Sequence, residues 1–260
     1  MNALELRALH TVEDLGAAAR LFAGIWGTDA DHAPVSAELM RALSHSGNYV
    51  TGAYESGRLA GASVGFFGAP VGTTLHSHIT GAGAGRGIGL ALKLHQREWA
   101  LARGLKRITW TYDPLVRRNA YFNLVKLGAR PEEYLTSFYG AMHDAINGGD
   151  ESDRVLAAWD LAARPPGTDG TAPVPPPVPA DADRGVLDRD GRPVLGPARS
   201  DTVLVDLPDD IEALRRTDPA AARAWRLAVR DTLGGLLAEG ARVVGLHERR
   251  SYVVRRPARP

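Results

Sequence analysis

Residues 81–89 read Gly81-Ala82-Gly83-Ala84-Gly85-Arg86-Gly87-Ile88-Gly89, between an apolar strand-like segment and a helix-like one. Glycines this close let backbone N–H groups face a ligand without side-chain obstruction, and the helix N-terminus that follows adds a partial positive charge. A phosphate or pyrophosphate is the natural guest of such a strand-loop-helix unit. Two common phosphate loops fail on spacing. A G-x-G-x-x-G read from Gly81, Gly83 or Gly85 ends on Arg86, Ile88 or Leu90, and no Gly-Lys-Ser or Gly-Lys-Thr occurs in the chain.

The segments around this loop fix the expected fold class, an α/β chain with a mixed sheet and helices on both faces. Leu4–Leu9 alternates as a strand, Thr11 opens an amphipathic helix carrying Leu15, Ala18, Ala19 and Phe22, and a second helix runs from Pro34 to about Ser46. Strands follow at Tyr49–Glu55 and Leu59–Phe67, joined by a Ser56-Gly57 turn, and a third lies at Leu75–Thr80. After the loop come a helix over Leu90–Arg103, a strand over Lys106–Tyr112 and a helix from Arg117 to Leu127. In the first of these helices Ile88, Ala91, Leu92, His95 and Trp99 form the expected interior stripe.

Composition divides the 260 residues into three parts: 1–161, 162–200 and 201–260. Seven prolines between Pro165 and Pro179 make the middle part an extended linker, with a hairpin expected at Val186–Leu195 around Asp190-Gly191. The last part reads as a smaller α/β extension, with a helix over Ala220–Glu239 and strands on either side.

Charge and composition narrow the function. Residues 1–160 hold 15 basic and 16 acidic side chains and the remainder 16 and 14, so neither part has the one-sided field of a nucleic-acid binder. There is no apolar run of membrane-spanning or signal-peptide length, so a cytoplasmic protein without a membrane partner is expected. The absence of cysteine removes thiol nucleophiles and thiolate metal sites, leaving His, carboxylates, hydroxyls and backbone to carry any chemistry.

Gly85-Arg86-Gly87-Ile88-Gly89 leading into Leu90-Ala91-Leu92 resembles the acyl-CoA pyrophosphate loop of the GNAT superfamily of N-acyltransferases. A later stretch, Arg117-Arg118-Asn119-Ala120-Tyr121-Phe122-Asn123-Leu124-Val125-Lys126-Leu127-Gly128-Ala129, resembles that family's Asn-x-x-Ala-x-x-Leu-Tyr-x-Lys-Leu-Gly-Phe motif, with Ala, Lys, Leu and Gly in register. The order β-α-α-β-β-β-α-β-α also follows the family, within a bacterial subgroup bearing a long C-terminal extension. Three positions depart from the pattern: Ala84 replaces Gln/Arg, Leu124 replaces the frequent acid tyrosine, and Arg117 replaces the motif's Asn.

The resemblance implies acetyl-CoA or another acyl-CoA as co-substrate, no metal, and a small-molecule amine as acceptor that attacks the thioester directly; a homodimer stays open. It implies CoA contacts from Ile79, Thr80, Gly81, Gly85, Arg86, Gly87, Ile88, Gly89, Asn119 and Phe122, with the amides of Ile79–Gly81 pairing with the pantetheine arm. His78 or Ser77 is the candidate base, and Tyr121 or Asn123 the candidate donor to the leaving thiolate. Strict alternation would put His76 and His78 on one face and Ser77, Leu75 and Ile79 on the other, unless a bulge shifts the register. The His76-x-His78 pair alone is poor evidence for a metal. Tyr112 and Asp113 are candidates for the amine pocket, beside a plain strand-ending role for Asp113-Pro114. Two other functions share these features: a non-catalytic acyl-CoA-binding protein and acyl-CoA decarboxylation.

Overall fold

The computed structural model describes residues 4–28, 33–83, 87–140, 149–167 and 173–258. They fall into two compact units. One holds the described residues of 4–110 with Asp160–Ala162, and the other those of 111–140, 149–159 and 163–258.

In the first unit, β1 (Leu4–Ala8), α1 (Val12–Trp26), α2 (Ala37–His45), β2 (Tyr49–Glu55), β3 (Arg58–Gly68), β4 (Thr74–Ala82), α3 (Ile88–Leu101) and β5 (Arg107–Tyr112, leaving the unit after Trp110) follow in order. The strands lie in the order β1-β2-β3-β4-β5; the first four are antiparallel, and β5 runs parallel to β4. The parallel pair is joined through α3, as a crossover connection requires.

Local chemistry sets the ends of these elements. Thr11 caps α1 by accepting from the Asp14 N–H at 3.1 Å, and Gly27 closes it in the left-handed region at φ 68°. Asp14 then ties α1 to the sheet, accepting from both Arg7 nitrogens and from the Tyr54 hydroxyl at 3.1 Å. Leu15, Phe22, Met40, Val50, Val64 and Ile79 bury one face of the sheet against α1 and α2. Each such side chain contributes on the order of 2 kcal/mol of transfer free energy. α3 covers the opposite face, where Ile88 and Leu92 pack on Ala53.

The interior of α3 differs from the expected stripe. The buried positions are Ile88, Leu92, Lys93, Gln96 and Ala100, while His95 and Trp99 are half-buried and lean on Tyr49. The buried face is rotated toward residues that apolar periodicity passes over because two of them are polar.

The second unit contains α4 (Arg117–Tyr121), which continues as a π-turn over Phe122–Leu127 and ends at left-handed Gly128. The antiparallel pair β6 (Arg130–Leu135) and β7 (Arg154–Asp160) follows, then β8 (Asp183–Arg189) and β9 (Arg192–Leu195). Asp190 and Gly191, at φ 53° and 79°, turn the β8/β9 hairpin at the expected place. Residues 173–179 before it carry no regular secondary structure. β10 (Thr202–Asp206), α5 (Ile211–Thr217), α6 (Pro219–Val229), α7 (Gly235–Ala238), β11 (Arg242–His247) and β12 (Ser251–Arg255) complete a sheet in the order β11-β12-β10-β8-β9. The single helix expected over Ala220–Glu239 is preceded by α5 and interrupted by a π-turn at Arg230–Gly234.

Candidate active site

The candidate site is built on β4 and the start of α3. β4 pairs with β5 only through Thr74↔Arg107, Leu75↔Ile108 and His76↔Thr109, yet it stays paired with β3 as far as Ala82. From Ser77 onward the β5-facing edge of β4 therefore lies beyond the parallel ladder. Unpaired backbone N–H and C=O groups on an edge are a template for any extended chain with amide groups.

The antiparallel register between β3 and β4 shifts at His78: Val64 opposes Ile79 and Gly65 opposes Ser77, leaving His78 as the extra residue of a bulge. This corrects the strict alternation expected from sequence. Leu75 and Ser77 turn to the α3 face, but Ile79 joins the α1 core on the other face. His76 and His78 both stack near Phe66, with ring centroids at 5.2 and 5.9 Å.

The two histidines are not equivalent. His76 Nδ1 lies 3.1 Å from Thr109 Oγ1, and burial, helped by His78 and Lys93, pushes its pKa down to about 4. His78 stays open to solvent on one side, and partial desolvation lowers its pKa below the ordinary histidine value. A neutral, accessible imidazole is the form a proton acceptor needs. Ser77, the other candidate base, is 2% exposed and faces the Lys93 amine instead.

Thr80 shares a 2.8 Å hydrogen bond with Ser63, and Gly81 sits where a Cβ would come within 2.9 to 3.1 Å of Ile25, Trp26 and Phe22. Only glycine lets β4 pass this close under α1. Beyond Gly83 the chain re-enters the described residues at Gly87, left-handed at φ 72°, and α3 begins at Ile88 without a side-chain cap or an acidic residue in its first turn. Among the described residues, nothing beyond the adjoining chain stands within 4 Å of where a Cβ would be at Gly87 or Gly89. A helix N-terminus without a side-chain cap and free of acids in its first turn suits an anion. Ala84, Gly85 and Arg86 of the loop lie outside the described residues.

The remaining sequence-predicted residues belong to the second unit. Asn119 is half-buried on α4, Phe122 half-buried at the start of the π-turn, and Asn123 buried within it. Leu124 is buried too. The Tyr121 hydroxyl accepts from Arg249 Nη2 at 2.9 Å, and the same guanidinium lies 4.2 Å from the ring centroid. Tyr112 and Asp113, considered for the amine pocket, are instead buried in hydrogen bonds. Tyr112 meets the Tyr252 hydroxyl at 3.3 Å, and Asp113 is held by Arg215 and Arg226.

Lys93 is the residue that periodicity missed. It is 5% exposed, donates to Ser77 Oγ at 2.8 Å and lies 4.0 Å from the Trp110 ring centroid. Burial pushes its pKa down to about 7. Its rarity was the available signal: the chain has 28 arginines and three lysines, and this lysine stands beside apolar Leu92 on a helix.

Comparison with solved structures gives the same architecture. The N-acetyltransferase from Staphylococcus aureus Mu50 is 18% identical over 61% of this chain and 99% of its own, with a TM-score of 0.50. The structure of yncA from Salmonella typhimurium with its cofactor acetyl-CoA is 14% identical over 62% of this chain and 96% of its own, also at 0.50. The fold is that of the GNAT acetyltransferases. No protein-family model matches the chain, and no curated protein matches it in sequence. Among the described residues no helix is long and apolar enough to cross a membrane, and no group of three His, Asp or Glu stands together as metal ligands would.

Proposed function

We propose that the protein is an acyl-CoA-dependent N-acyltransferase acting on a small amine. The observation that carries this reading is the edge of β4 beyond the His76↔Thr109 rung, leading through the glycine loop to the uncapped start of α3. An extended pantetheine arm has amide groups that match a strand edge, and the pyrophosphate matches the helix N-terminus.

In this reading the amides of Ile79, Thr80 and Gly81 bind the arm and polarise the thioester carbonyl, while Gly85–Gly89 take the pyrophosphate. His78 removes the proton from the attacking ammonium, directly or through water. Residues 1–161 form the acyl-CoA domain, with 201–260 an extension joined through 162–200. Acyl transfer from yncA's cofactor type, acetyl-CoA, is the first reaction to test.

The experiment is thiol release from acetyl-CoA and longer acyl-CoAs across a panel of amino acids and other small amines. Amine-dependent release supports the reading. CoA binding with no release across the panel would replace it with a non-catalytic binding role, and amine-independent release of carbon dioxide from malonyl-CoA with a decarboxylase.

A further inference from the structure

A buried lysine without a carboxylate partner needs a reason, because desolvating an ammonium is costly and the usual remedy is an ion pair. Lys93 has none among the described residues: it meets the Ser77 hydroxyl at 2.8 Å and the Trp110 ring centroid at 4.0 Å. The pair stands at one special place in the first unit. Ser77 is the first residue of β4 past the last rung with β5, and Trp110 is the residue of β5 just after that rung. Lys93 reaches from α3 to both. The bulge at His78 fixes Ser77 opposite Gly65, where a Cβ would stand 3.1 Å from the His76 carbonyl and 3.2 Å from Gln96 Nε2.

We propose that Ser77 and Lys93 form a serine–lysine dyad that accepts the acyl group from the thioester and hydrolyses it slowly when no amine is bound. A hydroxyl is a weak nucleophile until an adjacent base takes its proton, and a desolvated lysine amine is one of the groups that does so. Burial lowers the Lys93 pKa to about 7, so the neutral amine is populated near neutrality. As the Oγ–C bond forms, the hydroxyl proton passes to Nζ and the C–S bond breaks; the thiolate leaves and is protonated from Nζ. Water then attacks the Ser77 ester, releasing the carboxylic acid and restoring the hydroxyl. The net reaction is acyl-CoA plus water giving carboxylate, free thiol and a proton.

This inference rests on the acyl-CoA reading of β4, so the test uses two acyl donors, acetyl-CoA and p-nitrophenyl acetate. Full-length protein is incubated with each, quenched in acid, and examined by intact mass and peptide mapping. The expected result is one acetyl group on Ser77, labile to hydroxylamine, absent in Ser77→Ala and formed about 100-fold or more slowly in Lys93→Met. Ser77→Cys keeps the side-chain size and should still be labelled at position 77. A Ser77 ester from p-nitrophenyl acetate alone supports the dyad and counts against the acyl-CoA reading. No ester at position 77 from either donor in both wild type and Ser77→Cys, or a hydroxylamine-stable amide on Lys93, overturns the dyad.

Discussion

Arg226 donates two hydrogen bonds to Asp113, at 2.9 and 3.0 Å, with the arginine 1% and the aspartate 7% exposed. Arg215 adds a third to the same carboxylate at 2.5 Å, and both arginines also reach Asp150. Nearby, Arg230 binds Asp153 and Glu151, and Asp153 accepts from the Tyr134 hydroxyl at 2.7 Å. The second unit is thus organised around an ionic interior, and removing one partner leaves the others buried without compensation.

Asp113→Asn should cost roughly 3–5 kcal/mol of unfolding free energy, the usual penalty for breaking a buried pair from one side. Urea denaturation of the two proteins measures it. Burial alone would raise the Asp113 pKa, but Arg226 and Arg215 outweigh it and hold the carboxyl far below the usual range. A depressed folded-state value contributes stability above the unfolded pKa, near 4, that is lost as pH falls toward the folded one. Wild type should therefore lose more stability between pH 5 and pH 2 than Asp113→Asn does.

Lys93 gives the opposite pH dependence. Its folded pKa is lowered from 10.5 to about 7, so between those values the unfolded chain binds the extra proton and stability rises with pH. The full cost, about 5 kcal/mol at most from a shift of this size, applies below pH 7. Lys93→Met should be more stable than wild type at neutral pH, with a smaller difference at pH 10. Chemical denaturation at both values tests this.

His78→Ala should lower kcat/KM about 100-fold or more while leaving CoA affinity within about twofold, as expected for loss of a general base. Because desolvation lowers the His78 pKa, the unprotonated form already dominates at pH 7. Wild-type activity should be nearly flat above neutrality and fall in mildly acidic buffer. A rate profile from pH 5 to 9 checks both limbs.

Gly61 faces the first residue of α3: a Cβ there would stand 2.7 Å from Ile88 Cγ2 and 3.0 Å from the Ala82 Cβ. Gly61→Val should displace the helix start and weaken CoA binding about tenfold or more, since small misplacements at a binding loop are expensive. Calorimetric titration of CoA into the variant measures it.

Much of the first unit was legible because its signals are local. Thr11 caps the first helix, and Ser56-Gly57 turns the β2/β3 hairpin with both residues at positive φ. A bulge on β4 was an open alternative in the sequence, but its place at His78 was not legible, since a register shift depends on the partner strand; it moved Ile79 away from the face of Ser77. The inward turn of Lys93 and Gln96 was hidden for a related reason: periodicity counts apolar residues and assigns polar ones to solvent. Asp113-Pro114 looked like a strand terminator or a pocket residue, and its partners Arg215 and Arg226 lie about 100 residues away in sequence.

The central claim is that the edge of β4 and the start of α3 bind acyl-CoA. Isothermal titration of CoA into the full-length protein tests it without knowledge of the amine. The account predicts one site per chain with a dissociation constant in the micromolar range, about −8 kcal/mol, weakened by Gly61→Val. No heat of binding at millimolar CoA would contradict it.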